Sequence, residues 1–187
     1  MRPQKVLDKE IVEKLVCVFR SNGYDGASLS ELAEKTGLKK ASLYHRFPDG
    51  KRGMAVAVLN HLGEWAEEHV FNVLNDESIL PAQRLVNSLD NIRILYNDGK
   101  DACVLRVFSL GSGLELFEEQ VKNGMAHWVE AFNTYGKALG LPGEKAQKYA
   151  VQTLLEIQGS LVVTKGLNDL SIFEQTLNDI ESRYLKK

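Results

Sequence analysis

The stretch Ser28–Phe47, SLSELAEKTGLKKASLYHRF, limits the fold more than any other part of the chain. Ser28 and Glu31 stand in the S-x-x-E register of a capping box, in which each side chain satisfies an orphan donor at a helix start. Leu29, Leu32 and Ala33 then form one apolar stripe at helical spacing. Gly37 falls where that helix must stop and the chain reverse, because glycine accepts positive φ at little cost. Leu38 returns to the core. A second helix is predicted from about Lys40 to Phe47. At roughly 100° per residue, Leu43 and Phe47 share one side of it, flanked by Lys40 and Tyr44. Ala41, Ser42, His45 and Arg46 point away from the core. Two short helices about a tight turn form a helix-turn-helix. The exposed side of the second offers a small residue for close approach, hydroxyls and cations for phosphates, and side chains able to reach base edges. An ordinary helical hairpin with a solvated basic face would show the same pattern.

The rest of the chain reads as helix. Asp8 is the expected N-cap of a first helix carrying Ile11, Leu15 and Phe19, with Val12, Val16 and Val18 beside them, after an arm containing Arg2 and Lys5. That helix should end near Asn22-Gly23, with Gly23–Gly26 as a turn. Pro48 and Asp49-Gly50 close the helix-turn-helix. A long fourth helix over about Lys51–Leu74 is expected to join head to body. Its first amides, with Lys51 and Arg52, can hold a phosphate. Five further helices follow. Their apolar residues run from Leu85 to Tyr96, Cys103 to Leu110, Leu116 to Leu139, Tyr149 to Val162, and Ile172 to Tyr184, and Gly111-Ser112-Gly113 is expected to end the second of them. No segment shows the sustained alternation of a strand. The predicted class is all-α: a three-helix helix-turn-helix head over residues 1–52, joined by the fourth helix to a helical ligand-binding and dimerisation body over residues 53–187.

Charge is distributed to match. Residues 1–52 hold eleven Lys/Arg and seven Asp/Glu, a net +4, and residues 53–187 hold twelve and eighteen, a net −6. A basic head on an acidic body suits a head that meets phosphate. Hydrophobic residues make up 44% and charged residues 26%, as in an ordinary globular protein. Cys17 and Cys103 both sit in apolar helical patterns and are expected as buried thiols in a reducing compartment. No signal-peptide pattern opens the sequence, and no apolar run approaches the roughly 20 residues of a membrane span, so a cytoplasmic location is expected. No phosphate-binding G-x-x-x-x-G-K-[ST], nucleophile elbow or paired-cysteine metal site occurs. His61, Glu64, Glu68 and His69 share part of a helix face and read as a solvated charged surface. No enzyme, cofactor or metal site is expected.

Residues 8–52 resemble the tetracycline-repressor (TetR) family of transcriptional regulators. The resemblance rests on Thr36-Gly37-Leu38-Lys39-Lys40-Ala41-Ser42-Leu43-Tyr44-His45-Arg46-Phe47, followed by Pro48-Asp49-Gly50-Lys51. Many members have one residue fewer between the helix-ending Phe and the Lys. The form with Pro48-Asp49-Gly50 looks like a subgroup similar to the LmrA and YxaF regulators. The resemblance implies a homodimer that binds a palindromic double-stranded operator and releases it when a small hydrophobic inducer enters the body, with repression as the default. Site roles follow from the matching positions. Ser28 is a phosphate contact, and Lys39, Lys40 and Ser42 lie on the leading edge of the recognition helix. Tyr44, His45 and Arg46 occupy its exposed middle. Lys40 and His45 lie nearest base edges; Ser42, Tyr44 and Lys51 hold the backbone. The dimer seam falls at about residues 144–185, where Leu154, Ile157, Leu161, Val162, Phe173, Leu177 and Ile180 supply apolar surface and Gly159 and Ser160 allow close approach. The same residues could complete the monomer's own core. Trp65, His69, Tyr96, Phe108, Trp128, Phe132 and Gln158 are the candidate inducer-pocket lining, large faces with few polar handles. The alternative is a helical interaction module whose helix-turn-helix docks on protein.

Overall fold

In the computed structural model of the chain, residues 4–185 are described, with side chains from residue 9 onward; the expected arm with Arg2 lies outside them, and Lys5 only its backbone inside. The described residues form nine helices and no strand. These are α1 (Gln4–Gly26), α2 (Leu29–Thr36), α3 (Lys40–Arg46) and α4, which runs Gly50–Ala66, a π turn Glu67–Phe71 and Asn72–Asn75. They continue with α5 (Pro81–Leu95), α6 (Val104–Phe108), α7 (Ser112–Ala138), α8 (Gly143–Leu167) and α9 (Ser171–Leu185). The all-α expectation holds. Among the described residues, no helix is long and apolar enough to cross a membrane.

The chain packs into two units. The first runs through Gly63 and takes in Val104–Val121. Its core is the expected stripe of α1, Ile11, Leu15, Val16, Val18 and Phe19, closed by Leu32, Leu43, Met54, Val58 and Phe108. Each such side chain contributes about 1.5–3 kcal/mol through apolar area removed from water. Phe19 meets Phe108 edge to face at 5.4 Å, and Phe108 stacks on Phe117 at 5.2 Å. The segment Val104–Val121 was read from sequence as body; its packing on α1 depends on these long-range ring contacts.

Three expectations change here. The first helix begins upstream of Asp8, so Asp8 is not its N-cap. Cys17 is exposed rather than buried, because it sits about 200° round α1 from Leu15, off the apolar stripe; Cys103 is buried as expected. Gly111-Ser112-Gly113 starts a helix as well as ending one. Asp25 makes this possible: its Oδ2 accepts the Ser112 N–H at 3.0 Å and its Oδ1 accepts the Ser112 hydroxyl, capping α7 from the end of α1. Gly23 (φ 68°, ψ −173°) breaks the helical path of α1 at the expected place and turns Asp25 towards this role.

The second unit comprises Glu64–Cys103 and the chain from Lys122 onward. In it α8 packs on α9 and α9 on α5. Leu85, Leu89, Trp128, Phe132, Tyr135, Ile157, Leu161, Phe173, Leu177, Ile180 and Tyr184 are buried. Tyr135 donates its hydroxyl to Pro81 O at 2.8 Å, and burial pushes its phenol up to about 12. The π turn, absent from any sequence pattern, widens the helix so that the side chains of α5 reach its carbonyls. Asn91 Nδ2 donates to His69 O at 2.6 Å and Ser88 Oγ to Val70 O at 3.2 Å. After α5, Asn97, Asp98 and Gly99 all take left-handed φ. A Cβ on Gly99 would stand 2.8 Å from Phe173 Cβ.

Two outcomes follow from this packing. Gly99→Ala should cost more stability in urea denaturation than Gly140→Ala: both have positive φ, but only Gly99 is crowded. The shared backbone strain is worth about 1–3 kcal/mol, so a smaller loss at Gly99 would contradict the packing. The second concerns acid. The Ser112 hydroxyl, then its amide, hold the Asp25 carboxyl below its ordinary range. A depressed folded-state pKa contributes stability above the unfolded value and loses it as pH falls. Ser112→Ala should therefore show a smaller drop in urea midpoint than the parent between about pH 5 and pH 3.

Candidate nucleic-acid interface

α2 is framed as its sequence demands. Glu31 N–H donates to Ser28 Oγ at 3.2 Å, and Ser28 N–H donates to Glu31 Oε2 at 3.0 Å. Asn22, at the end of α1, adds a third bond by donating its Nδ2 to Glu31 Oε1 at 3.1 Å. Sequence reading passed over Asn22 because nothing local links it to a residue nine places on. The Ser28 side chain is exposed; its amide first, then its hydroxyl, hold the Glu31 carboxyl below its ordinary range. At the other end Gly37 (φ 72°) donates to Glu34 O at 3.1 Å, and Leu38 N–H reaches Ala33 O at 3.1 Å. The turn places α3 across α2, with Leu38 only half-buried.

α3 has one fully buried anchor, Leu43. Phe47 is half-buried at its C-cap. The opposite side is open: Lys39, Lys40, Ala41, Ser42, Tyr44 and His45 are exposed, and Arg46 is half-buried. Lys39 is the N-cap of α3 with no side-chain hydrogen bond to the helix. Tyr44 is 46% exposed, with its ring edge 3.1 Å from where a Cβ on Gly50 would stand. Gly50, at φ 59°, therefore seats the Tyr44 ring. Of the eight side chains expected at this interface, Ser28 stands at the N-cap of α2, Lys39 at the N-cap of α3, and Lys40, Ser42, Tyr44, His45 and Arg46 along α3, all in the first unit.

Lys51 differs. It is half-buried, and its Nζ donates to the Tyr24 carbonyl at 2.9 Å while lying 4.5 Å from the Tyr24 ring centroid. Its neighbour Arg52 is exposed.

The seven candidate pocket residues do not share one surroundings. Phe108 belongs to the aromatic core of the first unit, against Phe19, Tyr24 and Phe117. The other six lie in the second unit. Trp65 and His69 stack at 4.5 Å, half-buried, with His69 Nδ1 3.2 Å from Trp65 O. Trp128 meets Phe71 edge to face at 5.2 Å and stacks on Phe132 at 6.4 Å. Tyr96 is buried against Phe173. Gln158 is half-buried on α8, with its Oε1 buried and lacking a hydrogen-bond partner among the described residues.

Residues 11–58, which span the helix-turn-helix, match the family described as bacterial regulatory proteins, tetR family. The chain is 32% identical over 151 residues to the uncharacterized HTH-type transcriptional regulator YxaF of Bacillus subtilis, covering 79% of this chain and 78% of that one. It is 20% identical over 160 residues to the HTH-type transcriptional regulator LmrA of the same organism, covering 83% and 85%. Its fold is similar to the crystal structure of a TetR transcriptional regulator from Legionella pneumophila, with a TM-score of 0.81, 21% identity and 98% of each chain covered. These are regulators rather than enzymes, and they favour DNA over protein as the target of the helix-turn-helix. The chain belongs to the tetR family of helix-turn-helix transcriptional regulators that bind DNA.

Proposed function

We propose that the protein is a homodimeric repressor that holds a palindromic operator through two copies of α3 and releases it when a small hydrophobic ligand binds. DNA reading is assigned to residues 1–52, and ligand binding and dimerisation to residues 53–187. One observation carries the DNA-reading half: α3 buries Leu43 on one side and presents Lys39, Lys40, Ser42, Tyr44 and His45 on the other. A short helix with one apolar anchor and a cationic, hydroxyl-rich outer face fits the major groove. Lys40 and His45 are placed at base edges. Ser28, Lys39, Ser42, Tyr44 and Arg46 are placed along the phosphates. Lys51 is the exception, since Tyr24 already holds its ammonium.

Support for the dimer lies on α8. Ile157, Leu161, Phe173, Leu177 and Ile180 are buried within the single chain, so they complete its own core. A different set remains exposed: Val151, Leu155, Val162, Val163 and Leu167, at 39–69%. Their spacing puts Val151, Leu155, Val162 and the open Gly159 on one stripe. Such a stripe suits a self-complementary two-fold contact. A dimer is also what a small reading head needs, because two half-sites double the phosphate contacts. For the ligand, the support is an aromatic-rich second unit in which the Gln158 Oε1 acceptor is left unmatched. Release requires the ligand to bind better to the dimer shape whose recognition helices miss successive major grooves.

Two measurements test this. In fluorescence anisotropy with DNA from just upstream of its own gene, the chain should prefer that duplex to scrambled DNA. Lys40→Gln should then lose roughly tenfold or more in affinity, about the 1–3 kcal/mol of one base contact, and part of that preference. Equal binding of both duplexes by parent and variant would remove Lys40 from the reading face. In sedimentation at micromolar concentration, the parent should run as a dimer and Leu155→Glu as a monomer. A monomeric parent would end the two-fold arrangement.

A further inference from the structure

We propose that Lys51 is a positioning residue that staples the start of α4 to the end of α1, and that Arg52 supplies the phosphate contact expected of Lys51. The proposal rests on the DNA-binding role of the first unit and assigns its cations.

The Lys51 ammonium is already satisfied inside the protein. It donates to the Tyr24 carbonyl at 2.9 Å, and its charge lies 4.5 Å above the Tyr24 ring. A charge-assisted hydrogen bond and a cation–π contact are both given up if the ammonium swings out to a phosphate. The swing would also leave the Tyr24 carbonyl without this donor. The Tyr24 ring has little freedom to follow: Phe19 stacks on it at 6.4 Å, and Phe108 and Phe117 meet its edge at 6.2 and 5.1 Å. Next along the chain, Asp25 caps α7 through Ser112, and its carboxylate feels the Lys51 charge. The four residues Asn22–Asp25 thus hold α2 through Glu31, α4 through Lys51 and α7 through Ser112. Lys51 is the member that fixes where α4 starts, and so where Pro48–Gly50 delivers α3.

Arg52 is in the opposite situation. It is exposed in the first turn of α4 and has no hydrogen bond or ion pair within the described residues. Its guanidinium is always charged and matches phosphate geometry with two parallel donors. The Tyr24 phenol feels its charge, but at the start of α4 it can meet the DNA backbone without breaking a hydrogen bond or ion pair among the described residues.

Salt dependence separates the two roles. Each phosphate contact contributes about 0.9 to the slope of log affinity against log salt on duplex DNA, whereas a positioning residue changes affinity by the same factor at every salt concentration. The test is anisotropy of Lys51→Met, Lys51→Arg and Arg52→Gln on a labelled duplex from upstream of the gene, between about 50 and 200 mM salt, with Tm measured on each protein without DNA. Lys51→Met should lower Tm by about 2–4 °C, weaken binding and keep the parental slope; Lys51→Arg should recover Tm. Arg52→Gln should keep the parental Tm and flatten the slope by about 0.9 per protomer. A flattened slope with unchanged Tm for Lys51→Met overturns the staple. A parental slope for Arg52→Gln overturns the phosphate assignment. If the parent itself binds neither this duplex nor random duplex at the lowest salt, the DNA-binding role fails and the Arg52 assignment with it, while the Tm of Lys51→Met still decides the staple.

Discussion

A seven-residue helix has no independent existence in water, because nucleation fixes several dihedrals before one hydrogen bond is gained. α3 therefore exists only through what it is attached to. The attachment is the burial of Leu43, with 0% of its surface exposed, against the apolar residues of the first unit. That one contact decides which side of α3 is turned outward, and so which side chains can meet DNA. The capping box of α2 and the left-handed Gly37 serve the same end: they set the length of α2 and the angle at which the chain enters α3. The reading face is thus a consequence of core packing.

Stapling at the end of α1 reinforces this. Gly23 leaves the helical path, and the next two residues use backbone and side chain to hold neighbouring elements. None of these bonds is worth much alone, since each lies near solvent. Their effect is geometric: α2, α4 and α7 each have one terminus fixed by the same short segment, with the Phe19–Tyr24–Phe108–Phe117 ring cluster beneath it. The Tyr44 ring on Gly50 belongs to the same frame, because Gly50 opens the helix whose first turn Lys51 anchors.

The second unit solves a different problem. Its long helices bury a chain of rings, Phe71, Trp128, Phe132, Tyr184 and Tyr135, each touching the next at 5.2–6.4 Å. The π turn in α4 interrupts regular bonding, and the carbonyls of His69 and Val70 are met by Asn91 and Ser88 from α5 instead. An irregular turn satisfied by side chains of another helix is specified by that helix as much as by its own residues. Along α8 the burial pattern splits cleanly: Ile157, Leu161 and Thr164 face inward, while Val151, Leu155 and Val162 remain exposed.

How much of this could be read from the sequence follows from the range of each interaction. The capping box, the Gly37 stop, the Leu43 anchor and the outward Ala41, Ser42 and His45 depend on residues within four places of one another, so periodicity alone determined them; that Lys40 and Tyr44 are exposed while Arg46 is half-buried was left to the packed fold. The same held for the all-helical class and for most helix ends marked by Gly, Pro and Asn. The tertiary structure decided what depends on partners far along the chain. Ser112 opens a helix because Asp25, 87 residues away, caps it. Phe108 joins the first unit because Phe19 and Tyr24 receive it. Lys51 turns inward because Tyr24 meets it across 27 residues. Local spacing fixes which face a side chain takes on its own helix; only the packed fold decides what waits on that face.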